Sequence, residues 1–577
     1  MKRKLVLAAI FVIVGTSIAS NAQVTFSSQT YALAHTPFQV VAGDFNGDDR
    51  PDVAVMSIAG GTVSILLANA DGTFSAAHDF PAITPQFSCL LCSYFPGIAV
   101  GDVNGDGKLD LVLADSYNPA GPSINVLLGN GDGTFGPAIS TVMSFLVFPG
   151  QADRFIGVAD FNGDNKLDVA LFGYDGNTFG PFAMLGNGDG TFTPGVITPA
   201  AEFGPGASVV ADVNGDGKPD IVIASIASGF VGILAVFLGN GDGTFKSGQQ
   251  VQEETSWSFT LAAGDFNHDG KIDLASASYQ NYNCEFGVCT PLLPTGALAM
   301  LSGNGEGSFG GPGELATGSY GLTATGDFDG DGNLDIAALG WPTVSPAPSV
   351  IMLGDGRGKF PNQSPLAASN SATSMVSADL NGDGLADLAL VLGSDLQIEM
   401  NTTPGFSLAA SDSGSGISPG ASATYTVNVG QQNGFSSAVT LACSAPASVG
   451  IACSFSPSSV TPGNSSTLTV TTTGASSGMV WPSTGPYSKM LCAVWLPVGA
   501  FLFGGFGFTG RRRGKRRLGI LVLKCFVAAS LILEVACGGG SGSSNKSVGT
   551  PAGSYTVAIT AMSGSLQRST SVNLTVQ

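Results

Sequence analysis

The chain has 577 residues, which is too long for one ordinary domain and predicts several. Only 11% of the residues are charged and 82 are glycine, a composition that favours turn-rich β-structure over helix. The 42 acidic and 22 basic residues leave a net charge of −20, which argues against a nucleic-acid partner because such partners require basic patches.

The N-terminal segment has the pattern of a secretory signal peptide. Basic residues at positions 2–4 precede an apolar stretch from Leu5 to Ile18, and Ser20-Asn21-Ala22 offers small residues around a cleavage site. We therefore predict a signal peptide over residues 1–22. The mature protein is expected to be secreted, to the cell surface or the periplasm, where Ca²⁺ is usually available.

A nine-residue pattern then recurs along the chain, and its first clean copy is Asp102–Asp110. Oxygen-bearing side chains stand at places one, three, five and nine, with glycine at places four and six. Ca²⁺ takes six to eight oxygen ligands, and glycines let a tight loop turn such ligands inward. Asp, Asn and Gly also form ordinary turns, but seven copies favour a metal loop. The candidate ligands are Asp44, Asn46, Asp48, Asp52; Asp102, Asn104, Asp106, Asp110; Asp160, Asn162, Asp164, Asp168; Asp212, Asn214, Asp216, Asp220; Asp265, Asn267, Asp269, Asp273; Asp327, Asp329, Asp331, Asp335; and Asp379, Asn381, Asp383, Asp387.

The seven loops start 52 to 62 residues apart, which predicts an array of like supersecondary units. Short apolar runs flank each loop and are typical of strands buried on both faces. A second signature, Gly129–Phe135, has related copies in five other units and is a strong hairpin signal. Each unit is therefore expected to be strand, metal loop, strand, hairpin, strand, with a further strand leading into the next loop.

Four strands per unit predict a β-propeller. The chain has seven metal loops but six hairpins, because the last unit stops at Asn401-Thr402-Thr403. Val24-Thr25-Phe26 matches Gly72-Thr73-Phe74, so an N-terminal strand is expected to complete the last blade and leave no open sheet edge. We predict an all-β fold in which residues 23–403 form a seven-bladed propeller.

These repeats resemble the FG-GAP/VCBS repeat, the propeller repeat of integrin α-subunit heads and of many bacterial surface proteins. The resemblance covers about residues 24–403. It implies Ca²⁺ in the blades, up to seven ions, and a binding face built by loops between strands. Four loops depart modestly from the pattern: Asp49 and Asn165 replace glycine, His268 occupies a place without a ligand role, and Asp329 replaces asparagine.

The acidity of the chain is concentrated in the loops. Places one, five and nine supply 21 carboxylates and Asp329 adds another, about half of the 42 acidic residues. Three carboxylates in one loop repel each other unless a cation neutralises them. We therefore expect a fold whose stability depends on calcium.

Nine cysteines require an explanation in a secreted chain. Cys89 with Cys92, and Cys284 with Cys289, are each expected to form local disulfides, although a redox or zinc role for the first pair stays open. Cys443 and Cys453 are expected to join in the following domain. The remaining three cysteines lie in or beside apolar segments: Cys492, Cys525 and Cys537.

After Pro404 the sequence changes to Ser, Thr and Gly with period-two apolar residues, which predicts a small Ig-like β-sandwich. It resembles the Ig-like modules of bacterial surface proteins. Residues 404–478 are short for such a fold, and two further alternating strands occur in residues 549–577. We infer one domain interrupted by an insertion at residues 479–548.

The insertion has the pattern of a helical membrane hairpin. Two apolar segments, 491–508 and 518–536, are each long enough to span a bilayer, and the basic residues 511–517 between them fit a cytoplasmic turn. Lys524 and Glu534 weaken the second segment. The alternatives are a peripheral amphipathic hairpin or a segment that is cleaved off.

No nucleophile stands in a recognisable motif beside any of the three histidines, His35, His78 and His268. Departures from the repeat are candidate recognition loops: Phe80–Pro96, Ser116–Pro122 and Tyr279–Pro294, where Tyr279, Tyr282 and Phe286 would stack on a sugar or peptide or merely cover a blade end. The favoured function is a calcium-stabilised binding or adhesion module for protein or glycan ligands, without enzymatic activity. The alternative is a carbohydrate-active enzyme, since some calcium propellers are polysaccharide lyases.

Overall fold

The computed structural model describes residues 24–85, 97–115, 118–143, 157–174, 177–200, 204–227, 231–252, 258–278, 282–285, 288–291, 296–311, 313–341, 347–368, 370–411, 416–474, 549–564 and 566–577. The predicted signal peptide and membrane hairpin lie outside these residues, as do Cys89, Cys92 and the three leftover cysteines. Within the described ranges the fold is all-β apart from a 3₁₀ turn at Ala447–Val449. No helix in that part of the chain is long and apolar enough to cross a membrane.

Seven four-stranded antiparallel sheets, each like a propeller blade, occupy the described part of residues 26–401. From the innermost strand outward, the first four are β2 (Gln39–Gly43), β3 (Asp52–Ser57), β4 (Thr62–Leu66), β5 (His78–Pro81); β6 (Ile98–Gly101), β7 (Asp110–Asp115), β8 (Ser123–Leu127), β9 (Ile139–Val142); β10 (Gly157–Ala159), β11 (Asp168–Tyr174), β12 (Phe179–Gly186), β13 (Phe192–Pro194); and β14 (Gly204–Ala211), β15 (Asp220–Ala227), β16 (Val231–Gly239), β17 (Phe245–Gln252). The last three are β18 (Ser258–Gly264), β19 (Asp273–Ser278), β22 (Ala297–Leu301), β23 (Gly313–Thr317); β24 (Tyr320–Gly326), β25 (Asp335–Gly340), β26 (Val350–Leu353), β27 (Asn362–Pro365); and β28 (Ala372–Ala378), β29 (Asp387–Leu392), β30 (Asp395–Asn401), β1 (Phe26–Ala32).

The order of strands within a unit differs from the prediction. The fourth strand precedes the signature hairpin instead of following it. In the first unit, the apolar run after the metal loop is split at a tight turn, where Gly61 has φ 65°, and forms both β3 and β4. The predicted burial on both faces is found, since all six residues of β3, β7, β19 and β25 are buried.

The N-terminal strand completes the seventh sheet. β1 pairs antiparallel with β30 from Phe26 opposite Asn401 to Ala32 opposite Asp395. The innermost strands also contact one another in sequence, from β2 through β6, β10, β14, β18 and β24 to β28, and β28 contacts β2 again. The series of sheets therefore closes on itself.

Two further four-stranded sheets follow and pack over a shared apolar core that includes Tyr425, Leu468, Val557 and Leu574. One contains β31 (Gly405–Ala410), β32 (Ser422–Gln432), β36 (Asn464–Thr472) and β34 (Ile451–Ser456); the other contains β35 (Ser459–Val460), β33 (Val439–Ser444), β37 (Gly553–Ser563) and β38 (Leu566–Val576). Because β37 pairs with β33, strands from both sides of residues 475–548 share one sheet.

Two of the predicted cysteine pairs lie in the described part of the chain. Cys443 and Cys453 form a disulfide, as predicted. β20 (Tyr282–Glu285) and β21 (Val288–Pro291) form a separate two-stranded hairpin in which Cys284 and Cys289 are opposite each other.

Candidate metal centres

The first aspartate of each acidic loop fixes the course of the backbone. Its Oδ2 accepts a hydrogen bond from the amide of the sixth residue in all seven loops, at 2.7 to 2.9 Å. In the second loop, for example, Asp102 Oδ1 also accepts from the amides of Gly105 and Asp106. These bonds wrap the backbone of the loop around the carboxylate of the first aspartate.

The turn requires positive φ at places four and six. Glycine supplies this in most loops, as at Gly105 and Gly107. The exceptions adopt the same conformation: Asp49 has φ 66°, Asn165 has φ 63° and His268 has φ 56°. The first, third and fifth loops therefore keep the common backbone shape despite their departures in sequence.

Places three and five continue the same local pattern. In the second loop, Asn104 Oδ1 accepts from the Asp106 amide at 2.9 Å, and Asp106 Oδ1 accepts from the Lys108 amide at 3.0 Å. The equivalent pair of bonds is present in the other six loops. Each residue type at these places is thus explained by turn chemistry as well as by metal ligation.

The ninth aspartate is fully buried in every loop: Asp52, Asp110, Asp168, Asp220, Asp273, Asp335 and Asp387. Its Oδ1 accepts from the first amide of the signature hairpin, or from Asn401 in the last unit, at 2.6 to 2.8 Å. In six loops its Oδ2 accepts from the amide of place two at 2.8 to 3.0 Å. This aspartate therefore joins the acidic loop to the hairpin of its own blade.

Sequence reasoning treated the ninth aspartate as a ligand only and missed this second role. The glycine at the start of most signature hairpins is a sequence signal for this second role of the ninth aspartate. A Cβ at Gly129, Gly186, Gly239, Gly303 or Gly354 would lie 2.0 to 2.3 Å from the carbonyl oxygen of place eight. Glycine therefore permits the close approach of the hairpin amide to the aspartate.

Burial perturbs these carboxyl groups strongly. It raises the pKa of Asp52, Asp168 and Asp220 to about 6, against an ordinary value of 3.8. The same cause raises the pKa of Asp387 to about 7. For Asp335, burial together with the charge of Asp329 raises the pKa to about 9. Without a cation the folded chain thus resists ionisation of these groups.

The sixth loop gathers its carboxylates most closely. One oxygen each from Asp327, Asp329 and Asp335 lies within 4.8 Å of the other two, and no other loop of the described chain gathers three carboxylates so tightly. Asp327 Oδ1 is buried and has no hydrogen-bond partner, and the same is true of Asp273 Oδ2 in the fifth loop. An all-oxygen set with unused buried acceptors fits a hard cation such as Ca²⁺.

The acidic loops also hold neighbouring blades together. Place two carries a buried apolar residue that packs with the phenylalanine of the next hairpin around the ring. Phe45 meets Phe135 edge to face with ring centroids 5.5 Å apart, and Phe161 meets Phe245 at 5.4 Å. At the closure, Phe26 of β1 meets Phe328 of the sixth loop at 6.3 Å, in the role predicted from its match to Phe74.

The acidic residues of the signature hairpins have a local role. Asp132 Oδ1 accepts from the amide and the hydroxyl of Thr134, which holds the pKa of Asp132 below its usual value. Asp189 and Asp242 make the same bonds in their hairpins. Of the histidines, His268 pairs with Asn333 at 2.9 Å and so links the fifth and sixth loops.

The two ends of the ring differ. Because the sheets are antiparallel, every acidic loop and signature hairpin lies at one end, and the turns after the second strand and the connections between blades lie at the other. Toward this second end a cavity of about 240 Å³ is lined by Gln39, Ser208, Thr260, Thr323 and Ser374 from five innermost strands, each four or five residues before the first aspartate of its acidic loop. The predicted recognition segments join strands at the same end, although the candidates Tyr279 and Phe286 lie outside the described residues.

Seven blade-like sheets that share a repeated turn around buried aspartate, typical of calcium-binding motifs, define a propeller-type scaffold. Four overlapping segments match the FG-GAP-like repeat: residues 44–113, 102–171, 160–223 and 212–276. Each runs from the first aspartate of one acidic loop into the strand that follows the next, so the matches contain the first five loops. No curated protein matches the chain.

Proposed function

We propose that the chain is a calcium-stabilised extracytoplasmic binding or adhesion protein. Residues 24–403 form a seven-bladed propeller that carries up to seven Ca²⁺ ions and recognises a protein or glycan through its loops. The predicted signal peptide and membrane hairpin support a place at the cell surface. The ligands proposed for Ca²⁺ are the side chains at places one, three, five and nine of the seven acidic loops.

The main support for this proposal is that the acidic loops and the candidate recognition loops lie at opposite ends of the ring. All acidic loops lie at the end next to the sandwich, whereas the cavity and the strand ends that flank Phe80–Pro96, Ser116–Pro122 and Tyr279–Pro294 lie at the opposite end. The repeat thus supplies a scaffold, and sequence outside the repeat supplies variable loops on one face. Among the described residues, the cavity lining offers hydroxyl, amide and apolar groups without an ionisable side chain, which supports binding over acid–base catalysis.

The recognition face can be tested with the full chain on glycan and protein arrays in millimolar Ca²⁺. Asp115 and Ser123 are paired across β7 and β8, so Asn-Gly can replace Ser116–Pro122 and close the same hairpin. We expect this variant to lose at least tenfold in affinity, with an unfolding midpoint lowered only by the loss of the Asn118 hydrogen bonds to Ser123 and Ser140. Lys108→Gln, a charge change at the acidic-loop end, is the control and should bind normally.

A parallel assay addresses the enzymatic alternative. Incubation with acidic polysaccharides and detection of unsaturated products would reveal a lyase. Product formation that depends on the intact chain, together with no array ligand, would refute the binding proposal. Array binding that survives the loop replacement would move the recognition site away from this face.

A further inference from the structure

The sandwich lies against the acidic-loop end of the ring. Only three residues separate the end of β30 at Asn401 from the start of β31 at Gly405. This connection is tied to the closing strand, because the Thr402 amide donates to the Thr25 carbonyl at 2.7 Å and the Thr25 amide donates to Thr403 Oγ1 at 3.0 Å. The sixth and seventh loops are therefore next to the sandwich.

Arg568 of β38 reaches the sixth loop. Its Nη2 donates to the main-chain carbonyl of Asp329 at 3.2 Å, and its Nε donates to the Phe406 carbonyl at 3.1 Å. The guanidinium also lies 5.5 Å from the centroid of the Phe406 ring, which is fully buried. The charge of Arg568 acts on Asp327, Asp329 and Asp331 of the loop.

The negative charge of the sixth loop suits a contact with an arginine. It alone among the seven has aspartate at place three, and its place seven is Asn333, where the first five loops have arginine or lysine. Counted over the nine places, one Ca²⁺ would leave two negative charges in the sixth loop, one in the first and seventh loops, and none in the other four. Arg568 would bring the sixth loop to the same net charge as the first and seventh. The hydrogen bond from Arg568 to this loop goes to a main-chain carbonyl, so it uses none of the carboxylate oxygens of the cluster.

The seventh loop meets the turn after β32. Gln432 Nε2 donates to the Asp383 carbonyl, and Asn433 Nδ2 donates to Asp383 Oδ2 at 3.2 Å and to the Thr403 carbonyl at 3.1 Å. A polar pocket of about 340 Å³, lined by Asn381, Asp383 and Asn433 among others, opens beside this contact. An ion can thus approach the loop while the sandwich is in place.

We propose that Ca²⁺ in the sixth and seventh loops holds the sandwich against the ring, so that these two loops form a calcium-dependent joint between the domains. The sandwich contacts the loops at Asp329 and Asp383, places three and five, whose positions are set by the course of each loop. Without an ion, repulsion between the carboxylates weakens the hold of the turn hydrogen bonds on these positions, and an ion removes that repulsion. By linkage, docking of the sandwich strengthens Ca²⁺ binding in the same two loops. The inference rests on the calcium-binding role proposed above.

Hydrogen–deuterium exchange of the full chain, with and without Ca²⁺, tests the joint. Peptides covering residues 102–110 report on calcium binding at a distance from the sandwich, and peptides covering 404–410 and 430–436 report on docking. We expect Ca²⁺ to slow exchange in all three, by about fivefold or more in the docking peptides. Slower exchange in 102–110 alone would overturn the joint but leave calcium binding intact, whereas no change in any peptide would overturn both proposals.

Two substitutions test the contacts of the sandwich with the sixth and seventh loops separately. Arg568→Gln removes the contact with the sixth loop, and Asn433→Gly removes the amide at the seventh while suiting its positive φ of 46°. Each should reduce the calcium-dependent protection of the docking peptides, and the pair should reduce it further, to what the Gln432 contact with Asp383 supports, while 102–110 keeps its response. Lys108→Gln, which removes a cation 3.7 Å from Asp106 in the second loop, is the matched control and should leave the docking peptides unchanged. Protection in the double variant equal to that of the unmodified protein would refute the joint.

The charge argument has its own test. If Arg568 compensates the extra carboxylate, Arg568→Gln should weaken docking less when Asp329→Asn is already present. Equal effects of Arg568→Gln in both backgrounds would show that the charge of Asp329 does not contribute to the joint.

Discussion

Removal of calcium should reverse the pH dependence of stability. In the metal-free protein, burial holds the pKa of Asp52, Asp168 and Asp220 at about 6, above the 3.8 of an unfolded chain. A raised pKa in the folded state favours the neutral carboxyl. The stability that these three groups contribute is therefore full below about pH 4, is lost as the pH rises toward 6, and changes little above about pH 6.

The size of the effect follows from this shift. Between pH 5 and pH 7.5, each of these carboxyls should cost the metal-free fold about 1 kcal/mol, so the three together cost about 3 kcal/mol. That is a large part of the roughly 5–15 kcal/mol that stabilises a typical domain. The midpoint of thermal unfolding should fall by roughly 3–6 °C over the same interval. Calcium requires ionised carboxylates, so the loaded protein should instead gain stability as the pH rises.

The assay is thermal unfolding followed by circular dichroism, on protein stripped of metal by a chelating resin. The resin is preferred to a soluble chelator because chelators themselves bind calcium poorly at pH 5. We expect the stripped protein to unfold at a lower temperature at pH 7.5 than at pH 5, and the calcium-saturated protein to show the opposite order. Parallel pH curves with and without calcium would refute the reasoning, because they would mean that the buried aspartates do not interact with the ion.

Three substitutions probe the rest of the fold by thermal or denaturant unfolding. Phe26→Ala should destabilise the ring by about 1–3 kcal/mol because it removes the aromatic contact at the closure, whereas Thr30→Ala, at an exposed position of the same strand, should be neutral; equal effects would contradict the closure. Replacing Cys443 and Cys453 by serine should destabilise the sandwich by about 2–3 kcal/mol, since the disulfide closes a loop of 10 residues, and the ring transition should not move. Asp49→Gly should stabilise the ring by about 0.5–1 kcal/mol because the native φ is 66°, and a loss of stability would show that the Asp49 side chain has a role of its own.

The acidic loops were predictable because their structure is local. Asx turns and positive φ are fixed by residues within nine positions, so the pattern beginning at Asp102 determines the loop whatever lies around it. The closing strand was predictable for a different reason. The count of loops and hairpins left one partner missing, and Phe26 stood in the matching context. The structure pairs β1 with β30 as that count requires.

The remaining features depend on contacts between distant residues. The position of the fourth strand in each blade was predicted wrongly, because a tight turn inside an apolar run leaves little signal in the alternation of residues. The contact between Arg568 and Asp329 joins residues 239 positions apart and occurs in no repeat, so nothing in the pattern predicts it. The only trace in the sequence is Asp329 itself, which replaces the asparagine of the other loops. Its extra negative charge has no explanation until the contact with the sandwich is known.

The connection of each acidic loop to two blades explains why local ion sites should act on the whole ring. Within its own blade, the ninth aspartate of a loop binds the hairpin through Oδ1, as Asp110 does with the Gly129 amide at 2.8 Å. Toward the next blade, place two packs on the following hairpin, as Phe45 does on Phe135. An ion that orders one loop therefore stabilises one sheet and one interface between sheets. Since the ring is closed, each interface is shared, and loss of an ion from any loop weakens the contacts of two neighbouring blades.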